Sequence, residues 1–394
     1  MTSERRGNPE TEERLLAAAV TLFSKKWYNT VSVAEICRAA GLSNGVFYRY
    51  YDGKEALFKV ILGRVLDLVR VAVEGVEGPT PRARLRTFTE VIFRFSEEHG
   101  DLVSVFREGQ YRYFDYERRL GAIYIRGLSA VLGQEIGFPE YLFALGGLRF
   151  CAIARAFHGA PLQSQGVYDM LEGGLFRGLA FDPAKVFGGT ATPLPVALEE
   201  AARERLLRSG RRLFGEKGFF ETNIHEVTDG AALSVGAFYT YFESKEAFYA
   251  ELIARVGHDV RAFIAGNLRT SGAEPCNALE LELRGLWLWL VYLSLDKHSY
   301  NIVREAEFVL PAEVRAYYGA FASGYRRRAP ELRVTSAAPG LDEATAIEFL
   351  MGLSHYFGIT TAFDDSPGSA RALVEIIGGY LARGLSDFLP QGEP

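Results

Sequence analysis

The chain has 394 residues, of which 48% are hydrophobic and 24% charged, and its formal net charge is −5. This is an ordinary globular composition, long enough for two or more packed cores. The polar start at 1–13 and the lack of a long uncharged apolar stretch argue against secretion and membrane insertion. Cys37, Cys151 and Cys276 lie far apart with no C-x-x-C pair, so we expect reduced cysteines in a cytoplasmic protein.

The chain resembles itself at an offset of 191 residues. Residues 14–62 align without gaps on 205–253, and 17 of the 49 pairs are identical. Fainter matches follow, with 106–111 over 303–308 and 177–179 over 383–385. The repeat therefore covers the whole chain as two halves of about 190 residues each.

The spacing of apolar residues predicts an all-α fold. Apolar residues recur at intervals of three and four, as in Leu15, Ala19 and Leu22, while alternating runs typical of strands are scarce. Three prolines and a Gly-Gly pair between 182 and 196 mark a linker between the halves. The predicted divisions are 10–62 (helix-turn-helix), 63–181 (helical ligand-binding domain), 182–198 (linker), 199–253 (second helix-turn-helix) and 254–390 (second helical ligand-binding domain).

Each copy of the repeat has the order of a helix-turn-helix. In the first copy Ser32 can cap a helix that starts near Val33, with Glu35 completing a capping box. A turn at 40–43 ends that helix, and Ser43 caps the next one, at 44–51. In the second copy Asn223 and Glu226 can form the same capping box. The last helix of such a unit enters the major groove of DNA.

The residue types of this last helix suit DNA. Gly45 allows a close approach to the sugar-phosphate backbone despite a helix-propensity cost of about 1 kcal/mol. Phe47 is expected to point inward, and Tyr48 outward, where a phenol can bond a phosphate. Asn44 and Arg49 can donate to base edges or phosphates.

Lysines follow both units, where Lys54 and Lys245 can form an anion site together with the first amides of the next helix. The candidate DNA-contacting residues are Ser32, Ser43, Asn44, Gly45, Val46, Tyr48, Arg49, Lys54, Asn223, Ser234, Val235, Gly236, Ala237, Tyr239, Thr240 and Lys245.

The pattern T/S-V-x-x-I…A-G-L-S-x-G-x-F-Y-x-Y-F/Y-x-x-K-E-A-L/F, present twice, resembles the TetR family of bacterial one-component regulators. The resemblance implies an N-terminal three-helix DNA-binding domain, a larger helical ligand-binding and dimerisation domain, and homodimers on a palindromic operator. The departure from that family is the fusion of two such units in tandem in one chain.

The two units are unequal in charge. Residues 1–62 hold nine Lys or Arg against seven Asp or Glu, a net of +2, whereas 199–253 hold seven against ten, a net of −3. The second unit also has Val235 in place of Asn44, and Thr240 in place of Arg49. Three alternatives therefore stay open: a degenerate second unit, a bundle in which the aromatic residues merely pack, and a ligand-binding or interaction protein without DNA affinity.

The fusion predicts a covalent pseudo-dimer, because one chain supplies both DNA-binding units. As the resemblance implies, the helices near 141–158 and 167–180 would pack on those near 342–357 and 368–388 as a four-helix bundle. Two different reading helices suit an imperfectly palindromic operator. We expect a ligand-responsive repressor that binds double-stranded DNA and does not bind a membrane, with higher oligomers left open.

Aromatic residues follow each helix-turn-helix and predict a pocket for a small apolar or aromatic effector. Arg107, Glu108, Arg304, Glu305 and His355 are the polar candidates in its wall. The alternatives are that the aromatic stripes are core and that the repeated Arg-Glu pair is a salt bridge between helices. The candidate pocket residues are Phe106, Arg107, Tyr111, Phe150, Trp289, Tyr300, Arg304, Phe308 and Tyr356.

One short motif in the sequence formally matches a catalytic pattern. Residues 41–45 match the G-x-S-x-G nucleophile elbow, but that elbow must follow a strand, and 33–40 reads as a helix. The histidines form no i, i+4 pair, so a helical metal site is also not predicted. We expect no enzyme, no cofactor and no metal.

Overall fold

A computed structural model describes residues 8–194, 201–268, 276–327, 342–363 and 370–390. Throughout these ranges the regular structure is helical and no strand occurs, which confirms the predicted all-α class. Of the helices in these ranges, none is long and apolar enough to cross a membrane.

The first half forms a run of helices joined by short turns. Their amphipathic spacing explains them: the face of α1 formed by Leu15, Leu16, Ala19 and Phe23 is buried. The helices are α1 (Pro9–Phe23), α2 (Val33–Ala39), α3 (Asn44–Tyr50), α4 (Lys54–Glu74), α5 (Pro81–Glu98), α6 (Gly100–Arg112), α7 (Phe114–Leu132), α8 (Phe138–His158) and α9 (Ser164–Gly173).

The second half repeats that order of helices after the short helix α10 (Pro183–Phe187). Its first helix is interrupted at Gly218, where φ is +83°. The helices are α11 (Ala202–Glu221), α12 (Ile224–Gly230), α13 (Val235–Tyr241), α14 (Lys245–Asn267), α15 (Ala278–Leu295), α16 (Lys297–Val309), α17 (Pro311–Arg327), α18 (Glu343–Phe363) and α19 (Ala370–Arg383).

The chain divides into two compact units whose boundary runs through α8. The first unit holds 1–141 and 152–161, and the second holds 142–151 and 162–391. In the first unit Phe23, Tyr28 and Phe58 pack against one another, with ring centroids 4.8 to 5.5 Å apart. These contacts pack α1 and the turn that follows it on α4.

The second unit contains helices from both halves of the sequence. Phe143 of α8 packs on Phe349 of α18 and Tyr380 of α19, with centroids 5.7 and 5.5 Å apart. The segment after α9 also joins α19, because the amides of Leu175 and Phe176 both donate to the Leu381 carbonyl at 2.8 Å.

The predicted packing of 141–158 and 167–180 on the C-terminal helices is therefore present for the part of α8 that belongs to this unit and for α9. Helix α9 ends at Gly173, earlier than predicted, and residues 368 and 369 lie outside the described part of the chain.

The segment predicted as a linker is anchored over its described part, 182–194. The Arg284 guanidinium of α15 donates to the Val186 and Gly188 carbonyls at 3.2 and 2.9 Å. The Asn267 side chain bonds both the amide and the carbonyl of Thr192, at 2.7 and 3.0 Å. Prolines keep this stretch from forming a long helix, and buried side chains supply the hydrogen-bond partners that a helix would have given.

Candidate DNA-reading helices and effector cavity

Both copies of the second helix begin with the predicted capping box. Ser32 accepts from the Glu35 amide at 3.2 Å, and the Ser32 amide donates to the Glu35 carboxylate at 3.0 Å. Asn223 and Glu226 form the same pair of bonds, at 2.9 and 3.2 Å. Two amides that a helix start leaves unsatisfied are thereby bonded in each unit.

The last helix of each helix-turn-helix unit, α3 or α13, is called the candidate reading helix. The turn before it has the same left-handed backbone in both copies. Gly41 has φ +65°, and Ala232 at the matching position has φ +51°, a conformation that disfavours a side chain. Ser43 and Ser234 both precede the reading helix. The cap predicted at Ser43 is wrong, because its side chain makes no capping bond, whereas the Ser234 side chain accepts from the Ala237 amide at 3.2 Å.

The reading helices α3 and α13 present the same face to solvent. Phe47 and Phe238 are fully buried, while Tyr48 and Tyr239 are 54% and 56% exposed. Within each Phe-Tyr pair the rings meet edge to face, with centroids 5.4 and 5.3 Å apart. The inward and outward sides predicted from the sequence are therefore the observed ones.

The glycines of this face are not required by packing within the protein. A Cβ at Gly45 would lie 4.0 Å from Ser43 Oγ, and one at Gly236 would lie 3.8 Å from Ser234 Oγ. Both are ordinary van der Waals separations. The space beside each glycine is therefore not filled by other described parts of the protein.

The two lysines hold the turn before the second helix. Lys54 donates to the Tyr28 and Val31 carbonyls at 2.7 Å each, and its ammonium lies 4.2 Å from the centre of the Tyr28 ring. Lys245 lies 4.4 Å from the Phe219 ring centre. Burial lowers the pKa of both ammonium groups. Two of the three Lys54 donors are therefore occupied by carbonyls, and the anion site at Lys54 and Lys245 stays a prediction.

The turn before the second helix makes a further contact in both copies, with a glutamate of the following domain. The buried Glu108 carboxylate of α6 accepts from the Tyr28 amide at 3.1 Å, and Glu305 of α16 accepts from the Phe219 amide at 2.7 Å. A Cβ at Gly218 would lie 2.7 Å from Glu305 Oε2, so this approach requires glycine. The sequence predicted a pocket wall or a salt bridge for these glutamates. In the structure each of them also joins its helix-turn-helix to the helix that bears the repeated Arg-Glu pair.

Exposed charge differs around the two reading helices. Arg38 and Arg49 are exposed in the first unit, and Asp229 and Thr240 are exposed at the same positions of the second. Arg38 was not among the predicted contacts. The alignment at offset 191 already pairs it with Asp229, and that reversal of charge was the available signal.

The second unit contains a cavity of about 430 Å³ between α14, α15, α16, α17 and α18. Three of the predicted pocket residues, Trp289, Tyr300 and Arg304, line it. Phe150 lies behind the wall, 5.5 Å from the His355 ring and 5.6 Å from the Tyr318 ring.

The other predicted pocket residues do not line this cavity. Phe106, Arg107 and Tyr111 belong to α6 in the first unit, where Phe106 is buried. Phe308 is outside the lining, and Tyr356 packs beneath the Arg149 guanidinium at 4.5 Å. Aromatic spacing along a helix does not distinguish a core face from a cavity face, and here Phe106 and Tyr356 are buried in the core.

The G-x-S-x-G match at 41–45 lies in the turn between α2 and α3, so it follows a helix where a nucleophile elbow needs a strand. Across the described ranges, no three His, Cys, Asp or Glu side chains are grouped so that they could hold a metal ion.

Comparison with known proteins matches the two helix-turn-helix units. The family model described as "Bacterial regulatory proteins, tetR family" matches residues 15–61 and again 206–252. The uncharacterized HTH-type transcriptional regulator YuxN of Bacillus subtilis is 34% identical over 107 residues, which cover 26% of this chain and 37% of that protein. The HTH-type transcriptional repressor DhaR of a Mycobacterium species is 30% identical over 78 residues, or 20% of this chain and 39% of that protein.

Among solved structures, the fatty acid degradation regulator FadR from Bacillus halodurans is similar at a TM-score of 0.40 and 14% identity, covering 47% of this chain and 96% of that one. The chain spans between 34% and 52% of the length of the first three curated relatives. The domain described by the tetR family model therefore occurs twice in this chain, once in each half, so that two TetR-like DNA-binding units lie in tandem.

Proposed function

We propose that this protein is a ligand-responsive transcriptional regulator, most simply a repressor, whose single chain grips an imperfectly palindromic operator as a pseudo-dimer. The observation that carries the proposal is the repeated exposed face of α3 and α13. Each has a half-exposed tyrosine, a buried phenylalanine behind it and a glycine with open space. A tyrosine and a bare glycine on the first turns suit a phosphate backbone that must come close.

The first reading helix is proposed as the stronger one. Asn44, Arg49 and the nearby Arg38 supply donors, and the cations release counterions from DNA. The second unit offers Val235 and Thr240, which can contact a thymine methyl group. We assign Lys54 and Lys245 the task of positioning these units, since Lys54 is held by carbonyls and Lys245 lies on the Phe219 ring.

The pseudo-dimer is supported by the mixed composition of the second unit. Helices α8 and α9 come from the first half of the sequence and pack with α18 and α19 of the second half. In a separate homodimer such helices would come from two chains. Here one chain supplies both sets, so no dimerisation equilibrium precedes DNA binding.

Effector control is proposed to act through α16. Tyr300, Val303 and Arg304 of this helix line the cavity, and the next residue, Glu305, holds the Phe219 amide. A small apolar or aromatic effector that favours one position of α16 would bias the second helix-turn-helix. Only a difference in its affinity for the two positions can shift that balance.

The test is binding to DNA from the protein's own promoter region, measured as a function of salt with ligand-free protein. We expect one chain per operator and an affinity that falls steeply with salt. Arg49→Ala should weaken binding about tenfold or more, and Thr240→Ala by less than about threefold. Equal losses would mean that both units read DNA alike.

A second candidate is a ligand-binding or interaction protein without DNA affinity, favoured by the acidic Asp229 beside the second reading helix. If the promoter fragment is not bound even at low salt, the regulator proposal fails and this candidate stands. A two-chain mass in solution would contradict the pseudo-dimer alone.

A further inference from the structure

The cavity of the second unit carries an excess of positive charge. Arg261, Arg304 and Arg327 line it, and Glu282 is the one carboxylate among the described residues of its wall. The whole chain has a formal net charge of −5, so the positive charge of this wall is opposite in sign to that of the chain. Arginine is the side chain best suited to hold a carboxylate, sulfonate or phosphate by paired N–H bonds.

The carboxylate in the wall is already engaged within the protein. Glu282 is buried and accepts a hydrogen bond from the Tyr325 hydroxyl at 2.8 Å. Arg261 lies over the Phe321 ring, 5.5 Å from its centre, and forms no ion pair with any residue that the structure describes. Among the described lining residues, three arginines therefore share the wall with one carboxylate.

The rest of the wall is aromatic and aliphatic, and the polar atoms of two of its rings are bonded to protein partners. The Trp289 indole N–H donates to the Ser354 carbonyl at 3.2 Å, and the Tyr318 hydroxyl bonds His355 Nδ1 at 3.0 Å. Rings held in this way offer apolar surface to a ligand.

We propose that this cavity binds an organic anion with an apolar or aromatic body, whose acidic group is held by Arg261 and Arg304 with Arg327 at the exposed edge. The inference rests on the proposed effector role of the cavity and names the chemical class of the effector. A cationic aromatic ligand is disfavoured, because it would meet three like charges.

The test uses two dyes with the same hydrocarbon skeleton, 1-anilinonaphthalene-8-sulfonate and the neutral N-phenyl-1-naphthylamine, both followed by fluorescence titration. The neutral dye is the more apolar, so hydrophobic burial alone favours it. We expect the sulfonate dye to bind about tenfold more tightly than the neutral one, the ratio of one charge-assisted contact. Equal binding, or preference for the neutral dye, would overturn the proposal.

Variants assign the preference to the arginines. Arg261→Gln and Arg304→Gln should each weaken the sulfonate dye about tenfold and change the neutral dye by less than about twofold. Arg315→Gln, on helix α17 that also bears Arg327 but outside the lining, should change neither. Arg261→Gln leaves the Arg304-Glu305 segment intact, so a folding defect of the Arg304 variant does not decide the outcome.

Gly285→Leu shows whether the dyes occupy the cavity. Gly285 lines it, and a Cβ there would meet nothing within 4 Å, so the leucine should fill space and abolish binding of both dyes. Sulfonate binding that survives this change contradicts the proposal. These titrations contain no DNA. Loss of the dye preference with intact promoter binding rejects this inference alone, and the converse rejects the regulator proposal alone.

Discussion

The Glu35 carboxylate receives three kinds of hydrogen bond at the start of α2. The Lys26 ammonium donates to it at 2.9 Å, the Ser32 amide at 3.0 Å and the Ser32 hydroxyl at 3.3 Å. These bonds lower the pKa of Glu35 from 4.5 to about 2, and the bond from Lys26 contributes most. All of them favour the ionised form, so the capping box is also a proton-linked contact.

We predict that Glu35→Gln reduces the acid sensitivity of the protein. A carboxyl group whose pKa is depressed in the folded state stabilises that state above pH 4.5 and loses this effect as the pH falls toward 2. Glutamine keeps the capping box but does not titrate. Urea unfolding at pH 6 and pH 3 should show a smaller loss on acidification in the variant. Equal losses would mean that this pair does not contribute to acid denaturation.

At the scale of helices, the two halves differ in the polar contacts that join their first helix to its neighbours. Arg211 of α11 bonds Asp259 of α14 at 2.7 Å, and Asp296 and Ser299 at the start of α16 at 2.6 and 2.7 Å. The matching residue of α1 is Val20, which cannot form such a network. Because α16 also lines the cavity, the second helix-turn-helix is joined to the cavity wall by this network as well as by the Glu305 contact.

We predict that Arg211→Met lowers the free energy of unfolding by about 3–5 kcal/mol, because it leaves Asp259 and Asp296 partly buried without this guanidinium. The neighbouring Arg212 is exposed and pairs only along its own helix with Glu216, at 3.0 Å. Arg212→Met should therefore change stability by no more than about 0.5 kcal/mol. Urea unfolding followed by circular dichroism measures both, and similar losses in the two variants would refute the network's role.

For the molecule as a whole, the decisive contact is between helices of different halves. Gly147 of α8 faces the fully buried Phe349 ring of α18 so closely that a Cβ would lie 2.2 Å from a ring carbon. Interiors packed at this density tolerate added atoms poorly. Glycine here lets the α8 backbone approach α18.

We predict that Gly147→Ala destabilises the protein by about 1–3 kcal/mol. Gly319→Ala in α17 is the matched change, since nothing lies within 4 Å of a Cβ at that site. It should instead stabilise by up to about 1 kcal/mol, through helix propensity alone. Thermal unfolding distinguishes the two. A stabilising Gly147→Ala would mean that α8 and α18 are not packed so tightly in solution.

Much of the local structure could be predicted because it depends on neighbours in the chain. The apolar spacing of Leu15 and Ala19 identified α1, and Ser32 with Glu35 identified the start of α2. The roles that were missed depend on distant residues. Lys54 meets the Tyr28 carbonyl, and Glu305 meets the Phe219 amide, contacts for which the chain carries no periodic signal.

The sequence by itself determined the all-α class, the two tandem TetR-like units and the faces of their reading helices, because period, capping and internal repetition are local properties. Only the tertiary structure decided that α9 ends at Gly173, that 182–194 is anchored by Arg284 and Asn267, and which aromatic residues border a cavity. These outcomes depend on which side chains fill the space between helices far apart in the chain. That competition for space is settled by packing and burial, which no single stretch of sequence contains.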